Sequence, residues 1–150
     1  MKALFIGCVE SSASFLKTLI EAEADIVGVI TKQESEFNSD FVDLSDIAKQ
    51  NKIPYLYVKN INSNQTYEFI RELHPEVGFC MGWSQLIKKE LLDMFPQGII
   101  GFHPTELPQN RGRHPLIWAF ALGLNETASS FFILDETVDT GKVISQERVP

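Results

Sequence analysis

The chain has 150 residues, 44% of them hydrophobic, 22% charged and 11% aromatic, which suits one globular domain that buries a core without metal or disulfide. A formal net charge of -7 and the absence of a Lys/Arg cluster set the surface against phosphate backbones, so nucleic acid is disfavoured as a partner of this domain alone. Cys8 and Cys80 form no disulfide framework and no zinc spacing, and the apolar start MKALFIGCVE is too short for a membrane span and lacks a cleavage site, which points to the cytoplasm.

Apolar runs alternate with amphipathic stretches along the chain. Lys2 to Val9 reads as a first strand. Phe15, Leu16, Leu19 and Ile20 then recur at helical spacing, with Ser11 or Ser12 as the cap. Asp25 to Thr31 is a second strand and Lys32 to Asp40 a polar loop. Val42, Leu44, Ile47 and Ala48 mark a short helix before a third strand, Pro54 to Val58. Tyr67, Ile70 and Leu73 stripe a helix that ends at His74-Pro75. Glu76 to Met81 is a fourth strand, and Leu86, Ile87, Leu91 and Phe95 are expected to stripe the next helix. Gly98 to His103 is a fifth strand. Pro115 to Leu122 is apolar all round, hence a buried helix, and Gly123 can close it. Ser129 to Leu134 and Lys142 to Arg148 are two late strands.

Strands alternating with helices imply an α/β, Rossmann-like domain over residues 1–150, with a mainly parallel sheet and helices on both faces. Ligands of such sheets bind beyond the carboxyl ends of the strands, where strand order reverses. His103 closes the fifth strand and falls at such an end.

The block from Gly101 to Gly141 carries the chemistry: GFHPTELPQNRGRHPLIWAFALGLNETASSFFILDETVDTG. A histidine leaves a strand into a proline-pinned loop, and an acidic loop follows later. Histidine is the side chain best matched to proton transfer near neutral pH, and an aspartate beside it would favour the imidazolium and fix the tautomer. Residue types alone leave open a plain strand-end histidine. Trp83 and Trp118 read as packing residues, and His74 and His114 lack a metal-ligand partner at a recognisable spacing. Gly7 to Ser12 opens a helix but lacks a dinucleotide fingerprint, so a helix cap is the simpler reading.

The ordered pattern of His103-Pro104, Leu107-Pro108, Arg111-Gly112, Pro115, Trp118 and Asp139-Thr140-Gly141 resembles the signature of the 10-formyltetrahydrofolate-dependent formyltransferases. Met81 to Ile87 resembles the stretch before that block in the sugar-nucleotide members. The resemblance implies 10-formyltetrahydrofolate as formyl donor, His103 as the catalytic histidine and Asp139 as the aspartate that tunes it. It implies a pterin pocket walled by the backbone of Gln85, Leu86 and Ile87 and by the loop Asp135, Glu136, Thr137, Val138 and Asp139, with Arg113 near the cofactor. His103 and Asp139 are expected within hydrogen-bond reach, at the carboxyl ends of neighbouring strands.

Two departures follow from the same comparison. Gly101 stands where the family carries an asparagine two residues before the histidine. Alternate strand residues share a face, so the glycine leaves a gap where an oxyanion donor belongs, a loss of about 2.7–4 kcal/mol unless a water, a backbone N–H or Asn110 compensates. The chain also stops at Pro150, sooner than is usual in the family, which leaves a truncated product and a naturally short homologue as the two readings. The reading is an N-formyltransferase whose acceptor is a small-molecule amine, a nucleotide-linked amino sugar being favoured by Arg111-Gly112-Arg113 and the acidic surface. The competing readings are a catalytically weak folate-binding homologue and the amino-terminal part of a methionyl-tRNA formyltransferase.

Overall fold

The computed structural model describes residues 1–35, 40–103, 127–134 and 143–149. The elements run β1 (Lys2–Ile6), α1 (Glu10–Glu21), β2 (Asp25–Thr31), α2 (Ser45–Gln50), β3 (Tyr55–Tyr57), α3 (Asn64–Leu73), β4 (Val77–Cys80), α4 (Lys89–Leu92), β5 (Ile99–His103), β6 (Thr127–Ile133) and β7 (Val143–Val149). Seven strands form one sheet in the order β3-β2-β1-β4-β5-β6-β7. β1 to β5 pair in parallel, while β5–β6 and β6–β7 pair antiparallel.

The near-continuous apolar runs of β1 and β2 follow from burial on both faces, as parallel strands covered by helices require. Leu16 of α1 and Ala48 of α2 pack with Ala3, Phe5 and Val29 on one face. Ile70 of α3 and Leu91 of α4 pack with Leu4, Ile6 and Ile99 on the other. The expected Rossmann-like layering, with helices on both faces, is what the chain adopts. No described helix is long and apolar enough to cross a membrane.

Local boundaries differ in instructive places. β1 ends at Ile6 and not at Val9, because the chain turns out of the sheet and pairs with the segment after the second strand. The Glu10 N–H donates to the Asp40 carbonyl at 3.0 Å and the Val42 N–H to the Cys8 carbonyl at 2.8 Å. Val9, not a serine, is the N-cap of α1. His74 adopts the left-handed conformation (φ 50°) that closes α3, and its N–H donates to the Ile70 carbonyl at 3.0 Å. That accounts for His74 structurally.

The helix expected across Leu86 to Phe95 is reduced to the four residues of α4. The preceding segment is extended instead: Lys88 has φ -76° and ψ 160°, and Leu86 is 51% exposed while Ile87 is 3% exposed. Side chains from another loop hold this segment out of helical geometry, as described below. The helix expected over Pro115 to Leu122 lies outside the described residues.

Candidate functional site

Strand order reverses between β1 and β4, so the carboxyl ends of these strands flank the crevice where a doubly wound sheet binds its ligand. The floor of that crevice is closely packed. A Cβ on Gly7 would lie 2.4 Å from the Met81 carbonyl oxygen and 2.6 Å from the Ser12 side chain, so only glycine lets β1 leave the sheet here. Gly82 has φ +75°, and a Cβ there would meet Ser12 Oγ at 2.3 Å. Between the two glycines sits Ser12, fully buried. Its hydroxyl accepts from the Val9 N–H at 3.2 Å and donates to the Met81 carbonyl. Ser12 therefore ties the start of α1 to the exit of β4 and acts at a distance of 69 positions.

Both cysteines lie at this end of the sheet and both are free. Cys8 is buried and its Sγ–H donates to the Gly82 carbonyl at 3.5 Å. Burial raises the Cys8 thiol, with Lys32 opposing and Asp40 reinforcing the shift. Cys80 keeps some exposed area, but its depth in the fold governs the thiol, which burial pushes up to about 12. Neither is a ready nucleophile.

Trp83 does more than pack. Lys32, at the exit of β2, places its Nζ 4.9 Å from the Trp83 ring centroid. The Trp83 Nε1–H donates to Gln85 Oε1 at 3.2 Å. The same Gln85 oxygen accepts from the Ile61 N–H at 2.8 Å, and Gln85 Nε2 donates to the Lys59 carbonyl at 2.8 Å. Asn62 Nδ2 donates to the Leu86 carbonyl at 2.9 Å, and the Lys88 N–H donates to Asn62 Oδ1 at 2.9 Å. The Gln85 side chain is thus spent on internal bonds.

Ile87 is buried in one cluster with Leu91, Phe95 and Ile99, and Leu134 packs against that cluster. The Leu134 N–H donates to the Ile99 carbonyl at 2.8 Å. Beside this contact lies an open depression of about 680 Å³, lined among others by Leu92, Phe95, Gly98, Ile99 and Leu134. It is at the amino end of β5. His103 is at the other end, its backbone opposite Ser130 of β6. Gly101 is buried between them, paired with Cys80 on one side and Phe132 on the other.

The expected place of Asp139 at a carboxyl end neighbouring that of His103 falls on a residue outside the described ones. β6 runs antiparallel to β5, so its carboxyl end, Ile133, lies opposite Ile100 and not beside His103. Arg113, Asp135, Glu136, Thr137, Val138 and Asp139 lie outside the described residues.

A family model described as formyl transferase matches residues 2–150. The chain belongs to the formyl transferase family. Formyl transferase relatives include a methionyl-tRNA formyltransferase of Pseudothermotoga lettingae, 32% identical over 153 residues, covering 99% of this chain and 49% of the relative. This chain spans about half the length of the curated relatives it matches. A phosphoribosylglycinamide formyltransferase of Anaplasma phagocytophilum superimposes with a TM-score of 0.81 at 20% identity, covering 100% of this chain and 72% of that one. The sugar 3-N-formyltransferase WlaRD, solved with dTDP and 5-N-formyl-THF, gives 0.68 at 20% identity, covering 100% and 52%. These structural likenesses fix the fold of this formyl transferase chain.

Among the residues that matter, Ser12, Lys32 and Asn62 were not visible as site components in the sequence. Ser12 was visible only as a cap. Asn62 carried one local signal, the Asn60-x-Asn62-Ser63 run before α3, which is typical of a turn leading into a helix.

Proposed function

We propose that this chain is the domain that holds 10-formyltetrahydrofolate and passes its formyl group to an amine. The observation that supports this reading is one apolar cluster that joins the last residue of one expected pterin wall to the residue just before the other. Ile87 closes the first wall and Leu134 immediately precedes the second; Ile87 and Ile99 belong to one buried cluster, and Leu134 packs against it.

When bound, 10-formyltetrahydrofolate supplies an activated formyl group. The residues of the chain do the rest. The backbone of Gln85 to Ile87 and the loop Asp135 to Asp139 bond the flat, amide-like edge of the pterin. His103 takes the proton that the attacking amine must shed, and Asp139 orients the ring and supports its positive charge. Arg113 takes the cofactor-binding role that the resemblance implies for it. Gly101 supplies no side-chain donor, so the oxyanion relies on water, backbone or Asn110.

Two acceptors are each favoured by a specific observation. The names and double length of the curated relatives favour methionyl-tRNA, with this chain as part of a longer enzyme. The net charge of -7 and the Arg111-Gly112-Arg113 loop favour an amino sugar linked to a nucleotide. The test is calorimetry with 5-formyltetrahydrofolate, followed by single-turnover transfer to methionyl-tRNA and to a panel of nucleotide-linked amino sugars, with product followed by mass. The expected result is folate binding and one formylated class of acceptor. No heat at millimolar folate with folded protein refutes the reading.

A further inference from the structure

We propose that Asn62 is a positioning residue for the folate: its side-chain amide imitates a neighbouring β-strand and so presents the N–H and C=O of Ile87 to the pterin. The inference rests on the folate reading above and names the group that shapes that site.

The amide of Asn62 bonds two backbone groups at once, the Leu86 carbonyl and the Lys88 N–H, both at 2.9 Å. Its orientation is forced, because a carbonyl can only accept and an N–H can only donate. A parallel β-bridge centred on residue 87 would use the same two groups, the carbonyl of 86 and the N–H of 88. In such an extended segment the intervening residue turns its own N–H and C=O the opposite way. Lys88 is extended, as the geometry requires. Among the described residues neither the N–H nor the C=O of Ile87 has a protein partner, although its side chain is only 3% exposed. An adjacent donor and acceptor on an otherwise buried residue invite a ligand that carries the complementary pair, and an amide-like heterocycle edge does.

Asn62 is itself held. Its N–H donates to Asn60 Oδ1 at 2.9 Å, and the next residue, Ser63, caps α3 through the Thr66 N–H at 3.4 Å. The two bonds of Gln85 to residues 59 and 61 rivet the same two loops a second time. Loss of Asn62 should therefore loosen residues 86–88 without releasing the whole segment.

The experiment compares the parent with Asn62→Ala and Asn62→Asp by calorimetry with 5-formyltetrahydrofolate, by steady-state kinetics and by amide hydrogen exchange. Asn62→Ala should weaken folate binding about tenfold, for two lost hydrogen bonds to a ligand-presenting segment, and leave kcat at saturating donor within about twofold. Asn62→Asp should be at least as weak, because it sets an oxygen against the Leu86 carbonyl. In the parent, the Lys88 amide should be protected without ligand and the Ile87 amide should gain protection only when folate is added. A merely structural role for Asn62 would not move the Ile87 amide on ligand addition. Unchanged affinity in a folded Asn62→Ala overturns the inference alone. If that variant does not fold, the parent's exchange decides, and an Ile87 amide indifferent to ligand overturns it. Absence of folate binding by the parent overturns the folate reading and this inference with it.

Discussion

Replacement of Ser12 by alanine probes the junction that closes the switch point. The hydroxyl is fully buried and uses both its accepting and its donating capacity, on the Val9 N–H and the Met81 carbonyl. Val9 is 7% exposed and Met81 3% exposed, so neither group would gain water once its partner is gone. A would-be Cβ on Gly7 or Gly82 comes within 2.6 Å of Ser12 atoms, which shows how little room exists for a substitute water. Each orphaned backbone group costs about 1–3 kcal/mol, so Ser12→Ala should cost roughly 2–6 kcal/mol in all. For a domain of this size that is a fall in Tm of roughly 4–24 °C. Ser11→Ala is the control, since Ser11 is exposed and should stay within about 0.5 kcal/mol. Thermal and urea unfolding of both variants measure the difference, with the urea m-value expected to stay constant. Equal shifts for the two variants would refute the reasoning.

Other expectations follow from the site. Gly101→Asn should raise single-turnover formyl transfer, by up to the order of 10²-fold, with folate affinity nearly unchanged, because an oxyanion donor acts in the transition state; no gain would mean that another group already fills the role. His103→Ala should abolish transfer in both backgrounds while folate still binds, and activity at the parent rate would remove His103 from the mechanism. The Cys80 thiol is raised from 9.0 to about 12 in the fold, so the folded state holds its proton longer than the unfolded chain. Stability from this source is complete below pH 9 and should fall by up to about 1.4 kcal/mol per pH unit above it; Cys80→Val, compared with the parent by urea titration between pH 8 and 11, should flatten that slope.

Much of this architecture was legible in the chain because burial on both faces leaves a local mark. LFI in β1, IVGVI in β2 and VGF in β4 are apolar whichever way each residue points, and the helices between them carry their stripes plainly. The failures share a cause: the deciding partner is remote in sequence. Leu86, Ile87, Leu91 and Phe95 have helical spacing, yet Asn62 and Gln85 hold the first part of that stretch extended through bonds spanning 24 to 26 positions. Ser12 looked like a cap because serine before an apolar stripe normally is one, while its second partner is Met81. The direction of β6 left no mark either, since an apolar strand reads alike in both senses, and that direction alters where the acidic loop begins.

The reversal of β6 makes the pairing of His103 with Asp139 a question of reach. The Leu134 N–H bonds the carbonyl of Ile99, four residues before His103, so the chain leaves Leu134 about 13 Å short of the histidine along the sheet. Residues 135–142 connect Leu134 to Val143, and Asp139 stands near the middle of that connection. Five residues from Leu134 to Asp139 span at most about 17 Å, and four from Asp139 to Val143 at most about 14 Å. Asp139 can therefore return to the level of His103, with a few ångströms to spare for the lateral step between strands, about 4.8 Å. Deleting Thr137 and Val138 cuts the first reach to about 10 Å, which falls short of the rise even before the lateral step. The shortened protein should lose transfer to the extent that Asp139→Asn does, and adding Asp139→Asn to the deletion should change nothing further. The pH dependence of the residual rate should also shift in the same direction in both, since His103 loses the same neighbour. Melting curves check that the deletion still folds. Parental turnover in the folded deletion would show that Asp139 does not act on His103, whatever the resemblance of Asp139-Thr140-Gly141 suggests.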